Sequence, residues 1–189
     1  MTREEECYIL MRGLSRAFRR FYAQDKDLLP LGVDEKCLVG NLYRYFHQEV
    51  YDRFKDPDLR IDVEYDRIDM IRYGKPRMEG TSKKQTMRLD MVVHHRGNHD
   101  RNICAFEFKR YDRAKPKSIE EDRQKLRECV DPDWLGYHFG FFIVFGETLE
   151  DSSFQLFAED MYEGRTFMYP EIARIVKKNL ASATIKMIK

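Results

Sequence analysis

The sequence predicts an α/β protein built on a mixed sheet, and three features predict it. Amphipathic stretches with apolar residues at three- and four-residue spacing alternate with short β-branched and aromatic runs. Two such runs, 88–95 and 103–110, flank a polar segment holding Gly97, Asn98 and Asp100, the signal of a β-hairpin. A third run, 137–145, is almost continuously apolar, as a strand covered on both faces requires.

Taken in order, Cys7, Leu10, Met11, Leu14, Ala17, Phe18 and Phe21 mark a helix over 4–22, with Arg12, Arg16, Arg19 and Arg20 on its polar face. That basic face is either solvated or laid along a phosphate backbone. After a Pro/Gly-bearing break at 25–32, a second helix over 34–54 carries Leu38, Leu42, Tyr45, Phe46 and Val50. Glu35 shares its inward stripe, where an acid either complements the helix dipole or serves a site that the helix start abuts. Over 60–67, Ile61, Val63 and Tyr65 alternate with Asp62, Glu64 and Asp66, a half-buried strand in which Glu64 is a site acid or a solvent-face residue.

Residues 74–86 read as a polar loop with Lys75, Arg77, Lys83 and Lys84 as candidate phosphate contacts. Beyond the hairpin, Arg110, Arg113, Lys115 and Lys117 follow Lys109 closely, the composition of a phosphate-binding or a solvated loop. Ser118 and Glu121 form a capping-box pattern opening a helix that carries Asp122, Gln124 and Lys125 and stops near Asp131-Pro132. No element is assigned over 146–163, and a last helix starts near Pro170-Glu171 with Ile172, Ile175, Val176 and Leu180.

At 189 residues, 42% hydrophobic, 13% aromatic and 35% charged, the chain reads as one folded domain. Its core spans 34–145, its N-terminal helix lies within 1–24, and 146–189 is a C-terminal extension. The net charge of +1 requires any nucleic-acid partner to meet a local basic patch. Cys7, Cys37, Cys104 and Cys129 show no metal or redox spacing and read as reduced thiols. With no signal-peptide pattern and no membrane-length apolar run, a cytoplasmic protein with no membrane partner is expected.

The chemistry concentrates on the hairpin. Glu107 and Lys109 share one strand face, and a turn closing about Asn98 and His99 sets Asp90 opposite Glu107. A three- or five-residue loop would change the parity and move Asp90 to the other face. Two facing carboxylates are costly unless a proton or cation lies between them, and Mg²⁺ accepts such oxygen ligands together with substrate phosphate. Lys109 would stabilise a metal-activated hydroxide or the charge developing on phosphorus. A bare surface ion pair has the same residues.

Arg88-Leu89-Asp90 followed by Glu107-Phe108-Lys109, set in a helix, strand, strand, strand, helix, strand order, resembles the core of the restriction-endonuclease-like PD-(D/E)XK nuclease superfamily. Leu89 stands where that family often has Pro. The resemblance implies an αβββαβ core with extra N- and C-terminal helices. It implies Mg²⁺ or Mn²⁺ on Asp90, Glu107 and the Phe108 carbonyl, with Lys109 orienting or activating the attacking water. Glu35 and Glu64 are candidates for an added acid, and Gln124 and Lys125 for support from the following helix. Lys83, Lys84, Arg88, Arg110, Arg113, Lys115, Lys117 and Lys125 are the expected nucleic-acid contacts. The expected activity is metal-dependent hydrolysis of nucleic acid, DNA ahead of RNA, by a monomer or a homodimer. A catalytically inactive nucleic-acid-binding or protein-interaction module is one rival. An unrelated α/β enzyme using His94, His95 or His138 is another.

Overall fold

The computed structural model describes residues 1–67, 87–97, 101–159, 161 and 163–177. Six strands form one mixed sheet in the order of the chain: β1 (Leu59–Arg67), β2 (Met87–His95), β3 (Asn102–Arg110), β4 (Phe139–Phe145), β5 (Ser153–Phe157) and β6 (Arg165–Met168). All neighbours are antiparallel except β3 and β4. A parallel pair needs a crossover, supplied here by helix α3 (Pro116–Val130). The other helices are α1 (Arg3–Gln24), α2 (Glu35–Val50) and α4 (Tyr169–Lys177). Among the described residues no helix is long and apolar enough to cross a membrane.

The sheet has a core on each face, so its central strand reads as buried almost throughout. On one side Leu126, Cys129 and Val130 of α3 cover Val92, Ala105 and Phe142. On the other, α1 and α2 cover Met91, Val93, Cys104, Phe106 and Phe108, with Ile172 of α4 in the same cluster. Phe18 stacks on Phe145 at 5.1 Å between ring centroids. The two large helices cross where α1 has no side chain: a Cβ on Gly13 would lie 2.1 Å from Val50 Cγ2.

Helix starts follow side-chain chemistry. Thr2 Oγ1 accepts the Glu5 amide at 3.2 Å while Glu5 Oε2 accepts the Thr2 amide at 2.8 Å, a complete capping box on α1. Asp34 Oδ1 accepts the Lys36 amide at 2.9 Å and fixes the start of α2. The capping box expected at Ser118 is absent. Pro116, with φ already set for a first turn, begins α3 two residues earlier, and Ser118 Oγ donates to the Lys115 carbonyl at 2.9 Å from inside that turn. Helix α2 also ends earlier than the apolar spacing suggests, giving way at Tyr51–Arg53 to a 3-10 turn.

The hairpin keeps the expected register. Met91 faces Phe106, Val92 faces Ala105 and Val93 faces Cys104, with a shift only toward the turn, between Val93 and His94. The regular alternation expected in β1 fails. Glu64 has φ +50°, the left-handed region, and no ladder pair joins Glu64 to Asp90 although both flanking pairs form. Leu59 and Ile61 therefore pack into the α1–α2 core while Tyr65 packs against the α3 core, and Val63 is exposed. The segment left unassigned over 146–163 supplies β5, and β6 precedes the last helix. Lys75, Arg77, Lys83, Lys84 and the turn residues 98–100 lie outside the described residues, as does Leu180.

Candidate active site

Where β2 and β3 part beyond the Met91–Phe106 pair, Asp90 turns its carboxylate between the strands. Its Oδ2 accepts the Phe108 amide at 2.8 Å. On β3, Glu107 is 1% exposed and its Oε1 accepts from Lys125 Nζ at 3.2 Å. Two residues on, and on the same face, the Lys109 ammonium reaches three oxygens. It lies 2.6 Å from Asp122 Oδ2, 3.3 Å from Glu35 Oε1 and 3.1 Å from the Phe108 carbonyl. Glu35, the first residue of α2, is close because the helix start abuts the end of β3: its Oε2 accepts the Arg110 amide at 3.2 Å.

Asp122 is the residue the sequence reading passed over as a site group. Its Oδ1 lies 2.7 Å from Lys125 Nζ while Oδ2 holds Lys109, so one buried carboxylate ties α3 to the end of β3. A signal was present in the spacing. Asp122 precedes Leu126 and Cys129 by four and seven residues, on the stripe that α3 buries, and a buried acid demands a cationic partner.

The electrostatics reflect an excess of acid. Asp90, Glu107, Asp122 and Glu35 converge on two ammonium groups, Lys109 and Lys125. Burial, then the charge of Asp90, pushes Glu107 up to about 9. Burial also raises Asp90, against the pull of the Phe108 amide, and raises Glu35, against the pull of Lys109. Burial opposes both ammonium groups as well, but Asp122 and Glu35 at Lys109, and Glu107 and Asp122 at Lys125, outweigh it and hold both above the ordinary lysine range.

Among the described residues no three or more His, Cys, Asp or Glu side chains form a ready-made metal cage. The donors nonetheless suit a hard cation that keeps several waters. Asp90 Oδ1 and Glu107 Oε2 have no hydrogen-bond partner among the described residues, and the Phe108 carbonyl retains a second lone pair.

Other expected residues lie elsewhere. Glu64 pairs with Lys36 Nζ at 2.8 Å and stands 3.9 Å from Arg88, because its left-handed backbone takes it out of the alternation that would have aimed it at Asp90. Arg110 does not face a phosphate. Its guanidinium is buried and donates to the Val33 and Leu29 carbonyls at 2.8 and 3.0 Å and to Asp112. Lys125 is a member of the buried cluster, and Gln124 bonds Glu128 at 3.1 Å on the surface. Arg88 is exposed, and so are Arg113 and Lys115 on the loop between β3 and α3 and Lys117 in the first turn of α3; Arg113 also donates to the Gly32 carbonyl at 2.8 Å. The three histidines do not converge on Asp90 and Glu107: His94 bonds Asp62, while His95 bonds Asp56 and His138 bonds Glu6, two acids that Arg101 links.

No protein family matches the chain, and no curated protein or solved structure is significantly similar to it.

Proposed function

We propose that the chain is a metal-dependent phosphodiesterase acting on nucleic acid, DNA ahead of RNA, built on a restriction-endonuclease-like core. The observation that carries the reading is the convergence of Asp90, Glu107, Lys109 and Glu35 where β2 and β3 part, beside an exposed basic loop. Asp90, Glu107 and the Phe108 carbonyl would hold Mg²⁺ or Mn²⁺. When bound, such an ion polarises a phosphoryl oxygen and lowers the pKa of its water. Lys109, held by Asp122 and Glu35, directs an ammonium donor at the attacking water or at a non-bridging phosphate oxygen. Lys125 balances Glu107 from behind, and Arg113, Lys115 and Lys117 offer charge to the polyanion.

Asp90→Ala and Lys109→Ala should each lower Mg²⁺-dependent cleavage of plasmid or single-stranded DNA by about 10²–10³-fold or more while leaving the fold intact. Unchanged cleavage in both variants would overturn the reading. An inactive binding module is favoured by one observation, the occupation of carboxylate oxygens by Lys109 and Lys125. Calorimetry with Mg²⁺ separates the two: an active site binds the ion and loses it in Glu107→Gln, whereas an inactive module binds none.

A further inference from the structure

A second basic feature lies at the far end of α2 from Glu35, about 22 Å along the helix axis at 1.5 Å per residue. There the first turns of α1 and the 3-10 turn after α2 enclose a groove of two adjoining cavities, about 540 and 560 Å³, that share Tyr8, Ile9, Arg53 and Lys55. Arg12 lines the first cavity. Asp52 lies at one end and Glu5, occupied in the α1 capping box, at the other.

Two observations single this groove out. The first is unmatched charge. Farther along these helices Arg16 pairs with Glu49 and Arg44 with Asp25, while Arg20 donates to Gln48, which also lines the first cavity. Arg12 and Lys55 have no acidic partner among the described residues, and Arg53 donates only to the Glu49 carbonyl. The second is backbone conformation. Lys55 has φ +50°, a left-handed conformation that glycine adopts without steric penalty and lysine does not. Lys55 is thus an exposed cation without an acidic partner among the described residues, held in that conformation at the groove rim.

We infer that this groove binds single-stranded polynucleotide, with phosphates on Arg12, Arg53 and Lys55 and a base against Tyr8. An aromatic ring beside a cationic rim is the combination that holds single strands without reading sequence. The inference rests on the proposed function only for the choice of nucleic acid as the anion. It adds a holding site remote from the cleavage site.

The test is fluorescence anisotropy with a labelled 20-nucleotide oligo-dT in EDTA, where cleavage cannot contribute. Arg12→Glu/Lys55→Glu should weaken binding at least about 10-fold and reduce the salt slope by about 1–2. Lys55→Gly is the decisive companion, since relief of the left-handed strain should raise Tm while loss of the ammonium weakens binding. Equal affinity and salt slope in the parent and the charge-reversed variant would overturn the groove, whether or not the protein cleaves DNA. So would absence of oligonucleotide binding by the parent, or binding of anionic vesicles instead. Binding lost in the charge-reversed variant, with no cleavage by the parent, would leave the groove standing and remove the nuclease reading.

Discussion

Two buried polar clusters sit at opposite ends of the central strands and differ in the partners their acids find. At the start of β3, Glu6 of α1 takes His138 on one oxygen, at 2.5 Å, and Arg101 on the other, at 3.3 Å. Asp56 beside it takes Arg101 at 2.7 Å and His95 at 3.0 Å. Two carboxylates meet one guanidinium and two imidazoles, and although burial works against Asp56, the His95 hydrogen bond and the Arg101 charge hold it below the ordinary carboxylate range. At the other end four carboxylates meet two ammonium groups, and Asp90, Glu107 and Glu35 are all raised. The first cluster is complete as an architectural joint. In the second, carboxylates outnumber ammonium groups, which is what makes it the candidate site.

The contrast breaks if removing an acid has the same sign at both ends. Glu6→Ala should destabilise by about 2 kcal/mol, less than the 3–5 of a fully buried pair because Arg101 and His138 keep some contact with water. In a chain of this length that lowers Tm by about 4–8 °C in a thermal melt. Glu107→Gln should act in the opposite direction at alkaline pH. The folded chain keeps the Glu107 proton up to about 9, whereas an unperturbed carboxyl releases it near 4.5, so raising the pH between those values favours unfolding. Parent Tm should fall from pH 5 to pH 9, Glu107→Gln should flatten that fall, and at pH 9 the variant should be the more stable by at least about 1.4 kcal/mol, the equivalent of one pKa unit. A smaller effect sharpens the comparison further. Mg²⁺ at five times its Kd should stabilise the parent by about 1 kcal/mol and Glu107→Gln by none. At pH 7 the same binding should release a proton, seen as a buffer-dependent heat in calorimetry.

Local pattern carried the hairpin and the face shared by Glu107 and Lys109, because strand alternation is a short-range property; the turn was less legible, since next to it His94 pairs with Asn102 and the expected register returns only beyond the shift at Val93/His94. It also placed Glu35 correctly at a helix start, leaving only the question of what that start abuts. What it missed depended on distant partners. Arg110 reads as one more base in a basic loop until the carbonyls of Leu29 and Val33, some eighty residues earlier in the chain, close around it. Asp122 needed the knowledge that α3 lies over the end of β3. Glu64 failed through its own backbone, since alternation assumes a regular strand and a single left-handed residue breaks it.

That left-handed residue has a consequence at the rim of the sheet. Among the described residues β1 borders the sheet, and an edge with a straight run of open amides and carbonyls invites another chain to add to it. The kink at Glu64, with Arg60, Asp62 and Glu64 along the strand, interrupts any such run with a bend and with charge. The opposite edge, β6, is four residues long. Among the described residues, the irregularity that takes Glu64 away from Asp90 thus also breaks the straightness of a bordering strand.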